Sequence, residues 1–154
     1  MKVVLGADHR GFTLKQEIKH YLLEHTYQVH DVGDLTPNTP DDYPDFALAA
    51  AKEVIEHTEN IGIVICGSGV GVSIAANKVI GVRCGFGINP EQVQAAREDD
   101  DINMLALASD YISKTEAIAM IEVLLTTKFA PNENHTRRLQ KIAAIEKNSN
   151  ESTS

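Results

Sequence analysis

Five short apolar runs, each separated from the next by a stretch of helical periodicity, constrain this chain more than any other feature. Residues 3–7, 27–32, 61–66, 81–87 and 103–108 are rich in aliphatic side chains, and several are continuous enough to lie buried on both faces of a strand. Between them Leu14, Ile18, Tyr21 and Leu22 recur at the spacing of one helix face. Phe46, Ala50 and Val54 mark a second stripe, and Ile118, Ile121, Leu124 and Leu125 another. Residues 73–78 and 90–98 complete the set, the latter with Pro90 in its first turn. Strand and helix in alternation imply a parallel sheet, because a connection long enough to hold a helix brings the chain back in the same direction. The expected fold is α/β, a doubly wound, Rossmann-like three-layer sandwich with a five-stranded parallel sheet.

Two segments stand outside the alternation. Residues 33–44, GDLTPNTPDDYP, carry three prolines among Asn and Asp and read as a long irregular loop, a plain connection or a functional one. After Pro131, TRRLQKIAAIEK reads as a last helix whose apolar side, Leu139, Ile142, Ala143 and Ile145, comes after the final strand and is expected to pack on a partner subunit. Residues 1–147 make one expected domain, and residues 148–154, NSNESTS, an expected disordered tail.

Charge and composition exclude several classes. A net charge of -8 argues against a nucleic-acid footprint, so any anionic ligand has to be held locally. No apolar stretch approaches the length that crosses a bilayer, and MKVVLGADHRG lacks the h-region of a signal peptide; a cytoplasmic location is expected. Cys66 and Cys84 follow neither a C-x-x-C nor a zinc spacing, so no disulfide and no metal are expected. Cys84 reads as a small core residue.

Open parallel sheets gather ligands at the carboxyl ends of their strands. The chemically loaded stretches expected there are ADHRG after the first strand, CGSGVG after the third and REDDDIN just before the fifth. Gly67, Gly69 and Gly71 have the form G-x-G-x-G; Val72 rules out the dinucleotide fingerprint, and no G-K-[ST] follows. What remains is a nest of backbone N–H groups at a helix N-terminus, suited to an anion or a developing oxyanion, or else a tight strand-to-helix turn. A thiol beside that terminus has its thiolate favoured and can take a proton. Cys66 at the strand end, the loop amides and His9 at the neighbouring strand end together suit proton abstraction next to a carbonyl.

The stretches ADHRGF, DYPDFA, ICGSGVGVSIAANK, GVR and INMLALAS, in that order, strongly resemble the ribose-5-phosphate isomerase B and galactose-6-phosphate isomerase family. The resemblance implies a cofactor-free and metal-free aldose–ketose isomerase for a sugar phosphate, working as a homodimer or homotetramer with active sites shared between subunits. By the same resemblance Cys66 would move the proton between C1 and C2, and Ser68 would orient the substrate or relay a proton. The N–H groups of Gly67, Ser68, Gly69, Val70 and Gly71 would stabilise the enediolate. Asp8 and His9 would contact the sugar, His9 also as a catalytic group that assists ring opening, while Tyr43 would line the pocket and Asn103 would belong to it. His9, Arg10, Arg137 and Arg138 would hold the phosphate.

The chain departs from the family where cations are expected. Asp99 and Asp100 stand in place of histidine and asparagine, Asp110 in place of an arginine, and Asn134-His135 in place of Arg-His. Asp99 would take over the ring-opening role and Asp100 would lie in the substrate site. These changes keep open a different sugar phosphate, a free sugar, or a non-catalytic carbohydrate-binding subunit.

Overall fold

Aliphatic runs become strands wherever both faces find cover. In the computed structural model these are β1 (Lys2–Ala7), β2 (Gln28–Asp31), β3 (Ile61–Cys66), β4 (Cys84–Phe86) and β5 (Met104–Ala108). The helices are α1 (Phe12–Glu24), α2 (Tyr43–Val54), α3 (Val70–Ala76), α4 (Pro90–Asp100), α5 (Lys114–Thr126) and α6 (Glu133–Glu151). The structure describes residues 1–37 and 40–151; Asn38 and Thr39 of the expected loop and residues 152–154 of the expected tail lie outside the described residues.

The strands pair in the order β2-β1-β3-β5-β4, all parallel, as the alternation requires. Their two-residue period sorts side chains between two apolar layers. Ile61, Ile63 and Ile65 join Leu14, Ile18, Val93, Met120 and Ile121 on the side of α1, α4 and α5. Val64 and Cys66 join Ala47, Ala50, Val72 and Ala76 on the side of α2 and α3. That parity places the Cys66 thiol under the helices whose first turns are Tyr43 and Val70.

The largest departures from the sequence expectation are at β4, α3 and α6, each for a local reason. β4 is three residues rather than seven, because the side-chain amide of Asn103 holds Gly81 O and Arg83 N and diverts residues 81–83 from the ladder. α3 starts three residues early, at Val70, since Gly69 in a left-handed conformation (φ 71°) turns the chain directly into the helix. α6 continues to Glu151, four residues into the expected tail, because nothing between 133 and 151 is Gly or Pro. Cys84 is half-buried, packed against the apolar layer under α2 and α3, and burial pushes its thiol up to about 12.

One buried charge escaped the periodicity. Lys15 lies inside the apolar face of α1, fully buried, with Nζ 2.8 Å from Asp31 Oδ1 and 2.6 Å from Asp34 O. It pins the chain leaving β2 against β1, where Val32 N and Asp34 N also bond Leu5 O and Ala7 O. Burial pushes the Asp31 carboxyl up, but the Lys15 and Lys19 ammonium groups and the Gly33 N–H outweigh it and hold it below the usual carboxylate range. Its contribution to stability is therefore present at neutral pH and disappears as pH falls through that lowered value. Asp31→Ala, which strands the Lys15 charge, is expected to cost about 3–5 kcal/mol in urea unfolding at neutral pH, and Asp31→Leu with Lys15→Met clearly less. Equal losses would contradict this account.

Candidate active site

The loop between β3 and α3 owes its glycines to three different neighbours. At Gly67 a Cβ would stand 2.5 Å from Arg10 Nε and 2.6 Å from Arg10 Nη2, so the guanidinium can lie there only because the side chain is missing. Gly69 takes φ 71° and faces the Phe86 ring at 2.7 Å from the same hypothetical atom. At Gly71 the Tyr43 ring occupies the space, 2.6–3.1 Å from a Cβ. Arg10 and Tyr43 thus close on the loop from the two sides.

Each covering residue is placed by its own element. Asp8, buried at the end of β1, accepts from Arg10 N and Gly11 N through Oδ1, both at 3.0 Å, and makes the turn into α1. Ser109, just past β5, places Oγ 3.1 Å from Arg10 O and 3.2 Å from Cys66 O, so its single O–H is shared between the two carbonyls. Arg10 Nη2 pairs with Asp110 Oδ2, and Asp110 N bonds Gly67 O at 3.1 Å. Tyr43 is the first residue of α2, where Pro44 suits the opening turn.

Cys66 ends β3 opposite Ala108 and keeps 5% of its surface exposed. Beyond it the N-cap Gly69 gives α3 no side-chain cap, so the first-turn N–H groups after that of Val70 are left for a ligand or solvent. Ser68 is exposed, and its Oγ accepts from Val70 N at 3.3 Å, which leaves its O–H to donate elsewhere. In its thiolate form a sulfur with little water around it, beside a loop of backbone amides, can take a proton from carbon while the amides receive the charge that develops on oxygen.

His9 is fixed by a residue the sequence reading passed over. Asp41, in the acidic loop before Tyr43, accepts from His9 N at 2.9 Å and lies 2.5 Å from His9 Nδ1. That hydrogen bond raises the His9 pKa above its ordinary value. Ligand-type atoms of Asp8, His9 and Asp41 come within 4.8 Å of one another. Both oxygens of Asp41 and Oδ1 of Asp8 already serve His9 and the amides of His9, Arg10 and Gly11, which makes the cluster an internal hydrogen-bond frame.

The remaining expected site residues lie at the other edge of the sheet. REDDDIN precedes β5, and four strand steps of about 3.3 Å separate Met104 from Ala108, so Asp99, Asp100 and Asn103 sit more than about 13 Å from the Cys66 end. The expectation for Asn103 is corrected: its amide bonds Gly81 O and Arg83 N, both at 2.8 Å, and works as a structural clamp. Asp101, in a left-handed conformation at φ 47°, is bridged by Arg83 and Arg97. Asp99 faces His135 Nε2 at 3.4 Å, while His135 Nδ1 lies 2.9 Å from Ala130 O. Arg137 and Arg138 follow on α6, with Arg137 Nη2 bonded to Asn134 Oδ1 at 2.8 Å. One chain therefore gathers Asp8, His9, Arg10, Tyr43, Cys66, Gly67, Ser68, Gly69, Val70 and Gly71, and holds Asp99, Asp100, Arg137 and Arg138 apart from them.

A parallel sheet carrying a thiol, an amide loop and a charged rim at its carboxyl edge defines a doubly wound α/β enzyme of small-molecule chemistry. The family is specific: the Ribose/Galactose Isomerase model matches residues 3–142, and the chain belongs to that family. It is 37% identical to ribose-5-phosphate isomerase B of Mycolicibacterium paratuberculosis over 147 residues, 96% of this chain and 92% of the relative. The solved ribose-5-phosphate isomerase B of Clostridium thermocellum superposes with a TM-score of 0.91 at 39% identity, covering 97% and 99% of the two chains. That of Mycoplasma genitalium, solved with bound ribulose-5-phosphate, gives 0.90 at 37%, covering 95% and 96%.

The His9 assignment can be checked directly. In Asp41→Asn the His9 titration followed by NMR is expected to move down toward the ordinary histidine value, because the largest raising contribution is removed. In the parent protein the stabilisation from this pair is complete in acid and fades as pH rises through the raised His9 pKa. An unmoved titration would contradict the pairing.

Proposed function

We propose that this chain is an aldose–ketose isomerase that interconverts ribose 5-phosphate and ribulose 5-phosphate without a metal or nucleotide cofactor. The observation that carries this reading is Cys66 at the foot of a glycine loop covered by Arg10 and Tyr43. The Cys66 thiolate takes the proton from C2 of the open-chain aldose and returns it to C1. The N–H groups of Gly67, Ser68, Gly69, Val70 and Gly71 hold the enediolate oxygens, and Ser68 relays a proton between them. Moving one proton between adjacent carbons needs one base and one prepared oxyanion site. Asp8 and His9 contact the sugar hydroxyls, and Arg10 lies within reach of the phosphate end.

In this reading a second copy completes each site. Asp99, Asp100, Arg137 and Arg138 stand at the opposite edge of the sheet from Cys66, so one chain cannot present both groups to one sugar. The rim of the Cys66 loop is apolar and open, with Val70 51% and Tyr111 79% exposed beside Ile74 and Ile88, the kind of surface that a subunit covers. Asp99 supplies ring opening and the two arginines neutralise phosphate from across the interface. Among the described residues no helix is long and apolar enough to cross a membrane.

Cys66→Ala is expected to lower isomerisation by about 10²–10⁴-fold while sugar phosphate still binds, as loss of a general base requires. Normal turnover in that variant would refute the assignment. The shared site has its own test in co-expression of Cys66→Ala with the Arg137→Ala, Arg138→Ala variant. Each alone is expected to be inactive, and randomly assorted dimers to recover about a quarter of parent activity, since half are mixed and hold one intact site of two. No recovery would place all groups within one chain.

A further inference from the structure

Arg10 and Asp110 form a charge pair that the proton-transfer chemistry leaves unexplained. Arg10 is anchored at three points: its N–H on Asp8 Oδ1, its carbonyl on Ser109 Oγ, and its guanidinium on Asp110. Asp110 is tied to the same loop through its own N–H on Gly67 O. The guanidinium lies against the bare Cα of Gly67, which puts a permanent positive charge beside the loop amides. Its side chain is 55% exposed and that of Asp110 41%, so a ligand can reach both. Other charges nearby are acidic or already committed. Asp8 is buried under the turn, His9 is held by Asp41, and Lys15 is sealed beneath the sheet edge with Asp31.

A guanidinium offers five N–H donors in a planar fork, and Asp110 Oδ2 sits on Nη2, one arm of the fork that a bidentate anion needs. A phosphoryl dianion matches that fork better than a single carboxylate does, with three oxygens and a larger charge. We propose that Asp110 is a competing counter-ion that holds Arg10 over Gly67 in the empty site and yields it to the phosphoryl group of the substrate, so that Asp110 sets affinity for phosphorylated sugars. This inference rests on the isomerase reading for its substrate, while the pairing of Arg10 with Asp110 over Gly67 stands on the geometry. Asp110 is accordingly a positioning and specificity residue, which acts through Arg10 and takes no part in proton transfer.

The test separates these two layers. Binding of inorganic phosphate is measured by calorimetry for the parent, Asp110→Asn, Arg10→Gln and the double variant, with ribose 5-phosphate kinetics in parallel. Asp110→Asn is expected to tighten phosphate and lower KM about two- to fivefold, the range of an exposed ion pair, with kcat unchanged. Arg10→Gln is expected to weaken phosphate and raise KM by roughly tenfold or more, as loss of a charge-assisted pair does. In the Arg10→Gln background the Asp110→Asn substitution is expected to have no further effect. A gain that persists without Arg10 would show general repulsion instead of competition, and an unchanged or weaker phosphate affinity in Asp110→Asn would overturn the proposal. If the parent binds phosphate in this pattern yet turns over no sugar phosphate, the isomerase reading fails and the anion exchange survives.

Discussion

Two side chains close over one loop because three alternate positions of that loop carry almost nothing. The guanidinium of Arg10 fills the place of a Gly67 side chain and the ring of Tyr43 that of Gly71, while Gly69 turns the backbone between them. Everything at the carboxyl edge follows from this contact. It brings the start of α1 and the start of α2 together over the end of β3, and leaves Cys66 with little solvent and a row of amides beside it. Strand parity supplies the direction, since a slip of one residue in β3 would turn the thiol toward α1 and α5 and put Ile65 in its place.

The supporting frame is electrostatic on both flanks. Lys15 pins the exit of β2 and so sets where the acidic loop starts; Asp41 in that loop then holds His9 by ring and backbone. On the other flank Ser109 and Asp110 tie Arg10 to the end of β5. His9 and Arg10 are thus each gripped by residues far away in sequence, Asp41 on one side and Ser109 with Asp110 on the other, which is how a rigid sheet gives sequence-distant residues a fixed geometry.

Much of this was legible in the sequence, and the limits are physical. The fold followed from the alternation of β-branched runs and helical stripes, and Cys66, Ser68, His9 and Tyr43 were identifiable because their chemistry sits in a specific motif. Lys15 was not, since helix periodicity records hydrophobicity and a buried ion pair reads as a break in the stripe. Asp41 was visible only as a charge in a polar segment, and Asp110 only as a carboxylate in place of an expected arginine, because nothing local says which backbone amide or guanidinium a carboxylate will meet. The placement of REDDDIN went wrong for a different reason: a segment that precedes a parallel strand enters at the amino edge, whatever its composition, so Asn103 became a clamp on residues 81–83 and Asp99 met His135.

If the bare glycines hold the covering side chains in register with Cys66, a double-mutant cycle on kcat/KM between Gly71 and Tyr43 reads that coupling most directly. Gly71→Ala should displace the ring and cost roughly tenfold to a hundredfold, Tyr43→Ala should cost a similar amount, and the pair together little more than either alone. Full activity in Gly71→Ala, or losses that simply multiply, would mean that the glycine serves the turn alone and that Tyr43 acts elsewhere.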